Sequence, residues 1–159
     1  NDGWEHCKTD LLTIHNYNHG GKEEKEKYLR FVRDLSSREE ITKFEMINRF
    51  IVNPGFKDEG QPIILSEFGG VAFKKDTGGK AWGYTTSSSE EEYEADLRRI
   101  YAAIQKSSCI QGICYTQLTD VEQEVNGLMT FDRKFKIDPS IIKEMNDSLE
   151  VDGYKKESR

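Results

Sequence analysis

The stretch Pro62-Ile-Ile-Leu-Ser-Glu-Phe-Gly-Gly70 decides how this chain is read. A short apolar run bounded by Pro62 and by Gly69–Gly70 reads as a buried, parallel β-strand, since strands covered on both faces are continuously apolar. Glu67 stands where that strand ends. Glutamate is almost never fully buried without a partner or a task. A carboxylate at the C-terminal tip of a barrel strand also lies on the face that carries the active site in (β/α)8 enzymes. The competing reading is a strand-end glutamate that points into water.

Two further stretches have the same form. Thr9-Asp-Leu-Leu-Thr-Ile-His-Asn-Tyr17 is an apolar run ending in polar and aromatic residues, and Gly112-Ile-Cys-Tyr-Thr-Gln-Leu-Thr-Asp-Val-Glu-Gln-Glu-Val-Asn-Gly127 again delivers polar groups at a strand end. With Asn1-Asp-Gly-Trp-Glu5, these blocks resemble the C-terminal part of the catalytic barrel of glycoside hydrolase family 2, the β-galactosidase and β-glucuronidase family. The resemblance covers residues 1–20, 60–84 and 110–146 and rests on four blocks in order. It implies an α/β chain forming a partial (β/α)8 TIM barrel, strands six to eight with their helices, and residues 1–5 from the loop after strand five. Residues 1–149 would then be the C-terminal portion of the barrel, and residues 150–159 a charged tail expected to fray.

Composition sets the outer limits. The chain has 159 residues, 35% of them hydrophobic and 33% charged, with a formal charge of −6. That suits one domain with a lean core. Without a basic cluster, nucleic acid is not an expected partner, and the apolar runs are far too short to span a bilayer. Localisation is not readable, because the chain begins Asn1-Asp2 without a Met and an upstream segment is expected to be missing. Cys7, Cys109 and Cys114 cannot all pair within one chain and show no CxxC spacing, so no structural disulfide is expected. Unpaired thiols lean toward a reducing compartment. Cys109 and Cys114 are expected to act as small buried hydrophobes.

Local patterns give strand followed by helix, three times. The first strand covers residues 11–14, and a helix follows over 23–35 with Tyr28, Leu29, Phe31, Val32 and Leu35 as its apolar stripe. Ser36 with Glu39, or Ser37 with Glu40, forms a capping box for a second helix over 38–50, its buried face being Ile41, Phe44, Ile47, Phe50 and Ile51. The second strand is 63–66. The loop over 69–88 is long for a βα connection and so plausibly functional. Ser89 opens a helix to residue 106 with Glu90, Glu91 and Glu92 at its positive end and Tyr93, Leu97, Ile100, Tyr101 and Ile104 inward. The third strand is 113–117, and Asp138-Pro139 starts a last helix to residue 149. Alternating elements of this kind argue for a parallel sheet. Three strands fall short of the eight of a full barrel, so the expectation is a C-terminal fragment whose open sheet edges invite self-association.

The chemistry expected of Glu67 follows from the resemblance. Retaining glycosidases use two carboxylates about 5–5.5 Å apart, a nucleophile and an acid/base. Glu67 matches the family's nucleophile, and Tyr17 its strand-six tyrosine that hydrogen-bonds and orients the nucleophile. The family's acid/base lies in an Asn-Glu pair on strand four, and no Asn-Glu dipeptide occurs here. The chain alone is therefore expected to hydrolyse glycosides poorly or not at all, since general acid help is worth about 10²–10⁴-fold. A non-catalytic carbohydrate-binding or interaction fragment is the alternative.

Carbohydrate contacts are expected from His15, Asn16, Trp4 and Trp82, with Tyr115 or Gln117 at the pocket floor. Trp82 sits in the loop after Glu67, where an aromatic face suits the apolar face of a sugar ring. Lys74, Lys75 and Lys80 are available for an anionic sugar, although a solvated loop surface is the reading favoured for them. Asp120, Glu122, Asn126 and Asp132–Arg133 read as an ion-pair and turn network, Glu122 being left open. His6, Asp10, His15 and His19 do not match a zinc spacing. No metal and no cofactor are expected, and the expected partners are a carbohydrate and the missing N-terminal part of the same protein.

Overall fold

The structure is a computed structural model that describes residues 2–46, 49–73 and 82–149. Ile47, Lys74, Lys75, Lys80 and the tail from residue 150 lie outside the described residues. In chain order the elements are β1 (Leu12–Asn16), α1 (Lys25–Asp34), α2 (Arg38–Thr42), β2 (Glu45–Met46), β3 (Arg49–Phe50), β4 (Ile63–Gly69), β5 (Val71–Ala72), β6 (Thr85–Thr86), α3 (Glu90–Gln105), β7 (Ile110–Thr116) and α4 (Pro139–Asp147). The chain is thus mixed α/β.

Its centre is a three-stranded parallel sheet in the order β1-β4-β7. The stretch around Glu67 is the middle strand, as its continuous apolar character demands. Leu12, Ile14, Ile63, Leu65 and Phe68 pack under helix residues Phe31, Tyr93, Leu97, Ile100 and Ile104 in one core. Each such side chain contributes about 1.5–3 kcal/mol on burial. Ser37, Ser89 and Asp138 cap α2, α3 and α4 with their side chains, and Pro139 opens α4.

Three local expectations give way. The helix over 38–50 ends after Thr42, and the antiparallel pair β2–β3 follows it. Ile41, Phe44 and Ile51 are buried, but Phe50 is 40% exposed. The 3–4 spacing of those residues fits one helical turn plus a returning hairpin as well as it fits a long helix. Leu29 is 66% exposed, so the inward face of α1 is carried by Phe31, with Tyr28 and Val32 half-buried. Cys114 is exposed on the edge strand β7, while Cys109 is half-buried.

The long loop after β4 carries structure of its own. β5 and β6 pair in parallel, Val71 with Thr85 and Ala72 with Thr86. Trp82 N–H donates to Gln123 O, and Val125 N–H donates to Trp82 O at 3.2 Å. The loop after β4 and the loop after β7 are thereby stitched together over the same end of the sheet. Arg99 of α3 closes that end from beneath, donating to the His19 and Gly20 carbonyls and to Asp96 Oδ1.

Candidate active site

Strict alternation would send Glu67 to the buried face with Ile63 and Leu65. It does not go there. Ser66 and Glu67 are both half-buried, and Phe68 takes the buried place instead. The pairing register shifts at this point on both sides, between Ile14 and His15 in β1 and between Leu65 and Phe68 in β4. Such an irregularity re-aims a side chain. Here it turns Glu67 out of the core, with 37% of its side chain exposed.

Two side chains from β1 and its continuation converge on one oxygen of that carboxylate. Tyr17 Oη donates to Glu67 Oε2 at 2.9 Å. His15 Nδ1 lies 3.3 Å from the same Oε2. Burial and then the bond to Glu67 push the Tyr17 phenol far above its ordinary range, so it stays protonated and remains a donor. The arrangement leaves Oε1 as the oxygen that neither group occupies.

Two glycines make room for the aromatic rings around this carboxylate. Gly69 has φ +97°, and a Cβ there would sit 2.3 Å from the Tyr115 ring. Gly70 has φ +67°, and its Cβ would lie 2.5 Å from Tyr84 and 3.0 Å from Tyr17. Only glycine meets both demands without strain. The Tyr84 ring then stacks on Tyr17 at 4.0 Å and 6°, and Trp82 meets Tyr84 edge-on at 6.1 Å. Trp82 and Tyr84 are 47% and 50% exposed and form an aromatic ledge beside Glu67.

The sequence-predicted residues separate into groups. Glu67, Tyr17 and His15 come together, and Trp82 reaches them through Tyr84. Trp4 is half-buried, stacked on Phe44 at 5.7 Å and edge-on to His15 at 6.3 Å, so it supports His15 and also packs on the core. Asn16 alternates to the buried face and is 2% exposed, its Oδ1 accepting from Asn18 N–H. Tyr115 is packed on Phe68 and donates to Asn126 O at 3.3 Å. Gln117 Nε2 is buried and finds no partner among the described residues. Tyr84 and Asp2 were not singled out by sequence reasoning. For Tyr84, the tract Trp82-Gly-Tyr84 was the available signal. For Asp2, the family resemblance put the turn at residues 1–3 near the pocket but gave the aspartate no role.

The loop after β7 is held structurally. Asp120 accepts from Lys136 Nζ at 2.7 Å and from Gly127 N–H at 2.9 Å, and the lysine, 1% exposed, also donates to Val125 O. Asp132 bonds Thr130 and Lys134 instead of Arg133, and Glu122 takes φ +52° in the turn closed by Val121 and Glu124. Among the histidines, His6 is buried against Thr9 and Thr13, and His19 is buried between the Gly20 and Gly69 carbonyls. Asp2, His15 and Glu67 are the one group of possible metal-ligating atoms among the described residues. One ligand atom from each of these three residues lies within 4.8 Å of the other two.

Solved structures of similar fold include several β-glucuronidases. The chain is similar to β-glucuronidase from Bifidobacterium dentium complexed with coumarin-3-O-glucuronide, at 20% identity and TM-score 0.57 over 93% of this chain and 22% of that one. It is likewise similar to β-D-glucuronidase from Dictyoglomus thermophilum, at 19% identity and TM-score 0.57 over 90% of this chain and 23% of that one. The third is Ruminococcus gnavus β-glucuronidase, at 17% identity and TM-score 0.55 over 89% of this chain and 23% of that one. No family model and no curated protein matches the sequence. The likeness is therefore one of fold, and the chain spans less than a quarter of the length of these enzymes.

Proposed function

We propose that the chain is the C-terminal portion of the catalytic (β/α)8 barrel of a family-2-like retaining β-glycosidase, carrying the nucleophile Glu67 but not the acid/base strand. The observation that carries this reading is the convergence of Tyr17 and His15 on Oε2 of a carboxylate turned out of the core at the end of a central parallel strand. A nucleophile needs to be ionised, oriented and open on one side. The bond from Tyr17 to Oε2 supports the orientation, and Oε1, which neither Tyr17 nor His15 occupies, supports the open side. Oε1 would attack the anomeric carbon to form a covalent glycosyl ester, which water then hydrolyses. The substrate class is a β-glycoside, and the likeness in fold to β-glucuronidases makes a glucuronide the first sugar to try. The exposed Trp82–Tyr84 ledge would carry an apolar face of the sugar or its leaving group.

Leaving-group dependence tests this proposal. A dinitrophenolate departs without a proton, whereas an alkoxide needs a general acid. Aryl β-glucuronides and β-galactosides with acidic phenols should be cleaved by the chain, and alkyl glycosides should not. Equal rates for both would show an acid/base within the chain and contradict the incomplete-site reading. Cleavage that survives Glu67→Gln, or no cleavage of any activated glycoside, would contradict the nucleophile. The second result, combined with sugar binding lost on Trp82→Ala, would favour the carbohydrate-binding alternative, whose support is that same exposed aromatic ledge.

A further inference from the structure

The second contact of His15 is with a residue outside the sheet. Its Nε2 lies 3.2 Å from Asp2 Oδ2. Nε2 is buried and finds no hydrogen-bond partner among the described residues, so the Asp2 contact is an ionic one. The imidazole is otherwise clamped. Gly3, at φ +81°, lies against the ring so closely that a Cβ there would be 2.7 Å from three of its carbons. Trp4 meets the ring edge-on, and Gly3 N–H is fixed by Thr13 Oγ1 at 2.8 Å. Asp2 is itself anchored, since Ser66, the residue before Glu67, donates to Asp2 Oδ1 at 2.7 Å. Partial burial raises the Asp2 carboxyl pKa, but hydrogen bonds from Ser66 and Thr13 and the facing imidazole outweigh that and hold it below its usual value.

A ring with a carboxylate at each nitrogen has a restricted choice of protons. A neutral imidazole carries one N–H, and its other nitrogen presents a lone pair. Facing a carboxylate with that lone pair is repulsive. A ring whose Nδ1 carries the proton can donate to Glu67, 3.3 Å away, while the Asp2 carboxylate holds the ring from its other nitrogen at 3.2 Å. This parallels carboxylate–histidine pairs elsewhere, in which the outer carboxylate fixes ring orientation and proton placement.

We propose that Asp2 and His15 are positioning residues for Glu67: Asp2 holds the His15 ring so that its Nδ1–H meets Oε2, which keeps Oε1 aimed at the anomeric carbon. The inference rests on the reading of Glu67 as the nucleophile. In the step it serves, Oε1 forms a bond to the anomeric carbon while the bond to the phenolate oxygen breaks, and the phenolate leaves with the electron pair.

The test is the kinetics of covalent trapping by dinitrophenyl 2-deoxy-2-fluoro-β-glycosides, which label a nucleophile without needing an acid. Maximal labelling rate and half-saturating concentration are measured for the chain and for Asp2→Asn, His15→Gln, Gly3→Ala and the Asp2–His15 double variant. Each single change should slow maximal labelling by about 10–100-fold, the size expected from a small misplacement of a reacting group. The half-saturating concentration and melting temperature of the Asp2→Asn variant should not move. The double variant should be no slower than His15→Gln, because Asp2 acts only through the ring. Losses that multiply in the double variant, a loss carried by the half-saturating concentration, or labelling unchanged in Asp2→Asn would each overturn the proposal. If the unsubstituted chain is not labelled at Glu67, the underlying nucleophile reading has failed. If it is labelled and the variants match it, only the relay has failed.

Discussion

Two carboxylates stand at the same end of neighbouring strands, Glu67 in β4 and Asp120 just beyond β7, and they are held in opposite ways. Asp120 is 8% exposed and faces the ammonium of Lys136, itself 1% exposed. Its bonds from Gly127 N–H and from Lys136, which also donates to the Val125 carbonyl, tie parts of the loop after β7 to one another. Glu67 keeps 37% of its side chain in solvent, and its contacts from a phenol and an imidazole fall on one oxygen. A buried full ion pair fixes architecture and consumes the reactivity of the carboxylate. A one-sided set of donors orients a carboxylate and leaves half of it available for chemistry.

Substitution at the two sites should therefore separate activity from stability. The largest effect is expected at Glu67. Glu67→Gln should lower cleavage of activated glycosides by more than about 10³-fold, over 4 kcal/mol of barrier, with no loss in denaturant midpoint. A large stability loss there would place Glu67 in the same class as Asp120. Next, Lys136→Ala strands a buried carboxylate and should lower unfolding free energy by about 3–5 kcal/mol in urea titration. An unchanged midpoint would break the contrast from the other side.

Tyr17→Phe removes one donor to a charged acceptor, a change worth about 1.5–3 kcal/mol. Cleavage should slow by roughly the matching 10–100-fold, whereas the Tyr84 stack and the fold should survive, as near-ultraviolet circular dichroism would show. The smallest effect concerns His19. Burial, the dominant cause, lowers its pKa from the ordinary 6.5. Below that ordinary value the unfolded chain takes up a proton that the folded chain resists, so stability falls as pH drops from 6.5 through the lowered folded value. Melting temperature followed across that window should show the loss, and His19→Asn should flatten it.

How far the sequence could be read depended on whether a signal was local. The β4 stretch could be read because its apolar run, its lone acid and its two glycines each answer to one local requirement. The positive φ of Gly69 and Gly70 is the reason two glycines stand there, with rings closing against both. The register shift that turns Glu67 outward left no trace in composition. Residues 38–50 misled because Ile41, Phe44 and Ile51 satisfy a helix period while being delivered by a helix, a loop and a hairpin. Nothing in Lys134-Phe-Lys136 marks Lys136 as buried, and its pairing with Asp120 is a tertiary fact. Tyr84 and Asp2 are likewise brought to Glu67 only by the return of the loop after β4 and by the entry of the chain ahead of β1.

The most direct measurement of the central claim is the site of covalent labelling. The chain is incubated with a dinitrophenyl 2-deoxy-2-fluoro-β-glucuronide and its galactoside counterpart, weighed intact, digested and sequenced by mass spectrometry. The expected result is a mass increase of one fluoroglycosyl group, carried by the peptide containing Ser66-Glu67-Phe68 and absent from Glu67→Gln. A label on any other carboxylate, or an unlabelled chain with both reagents, would contradict it.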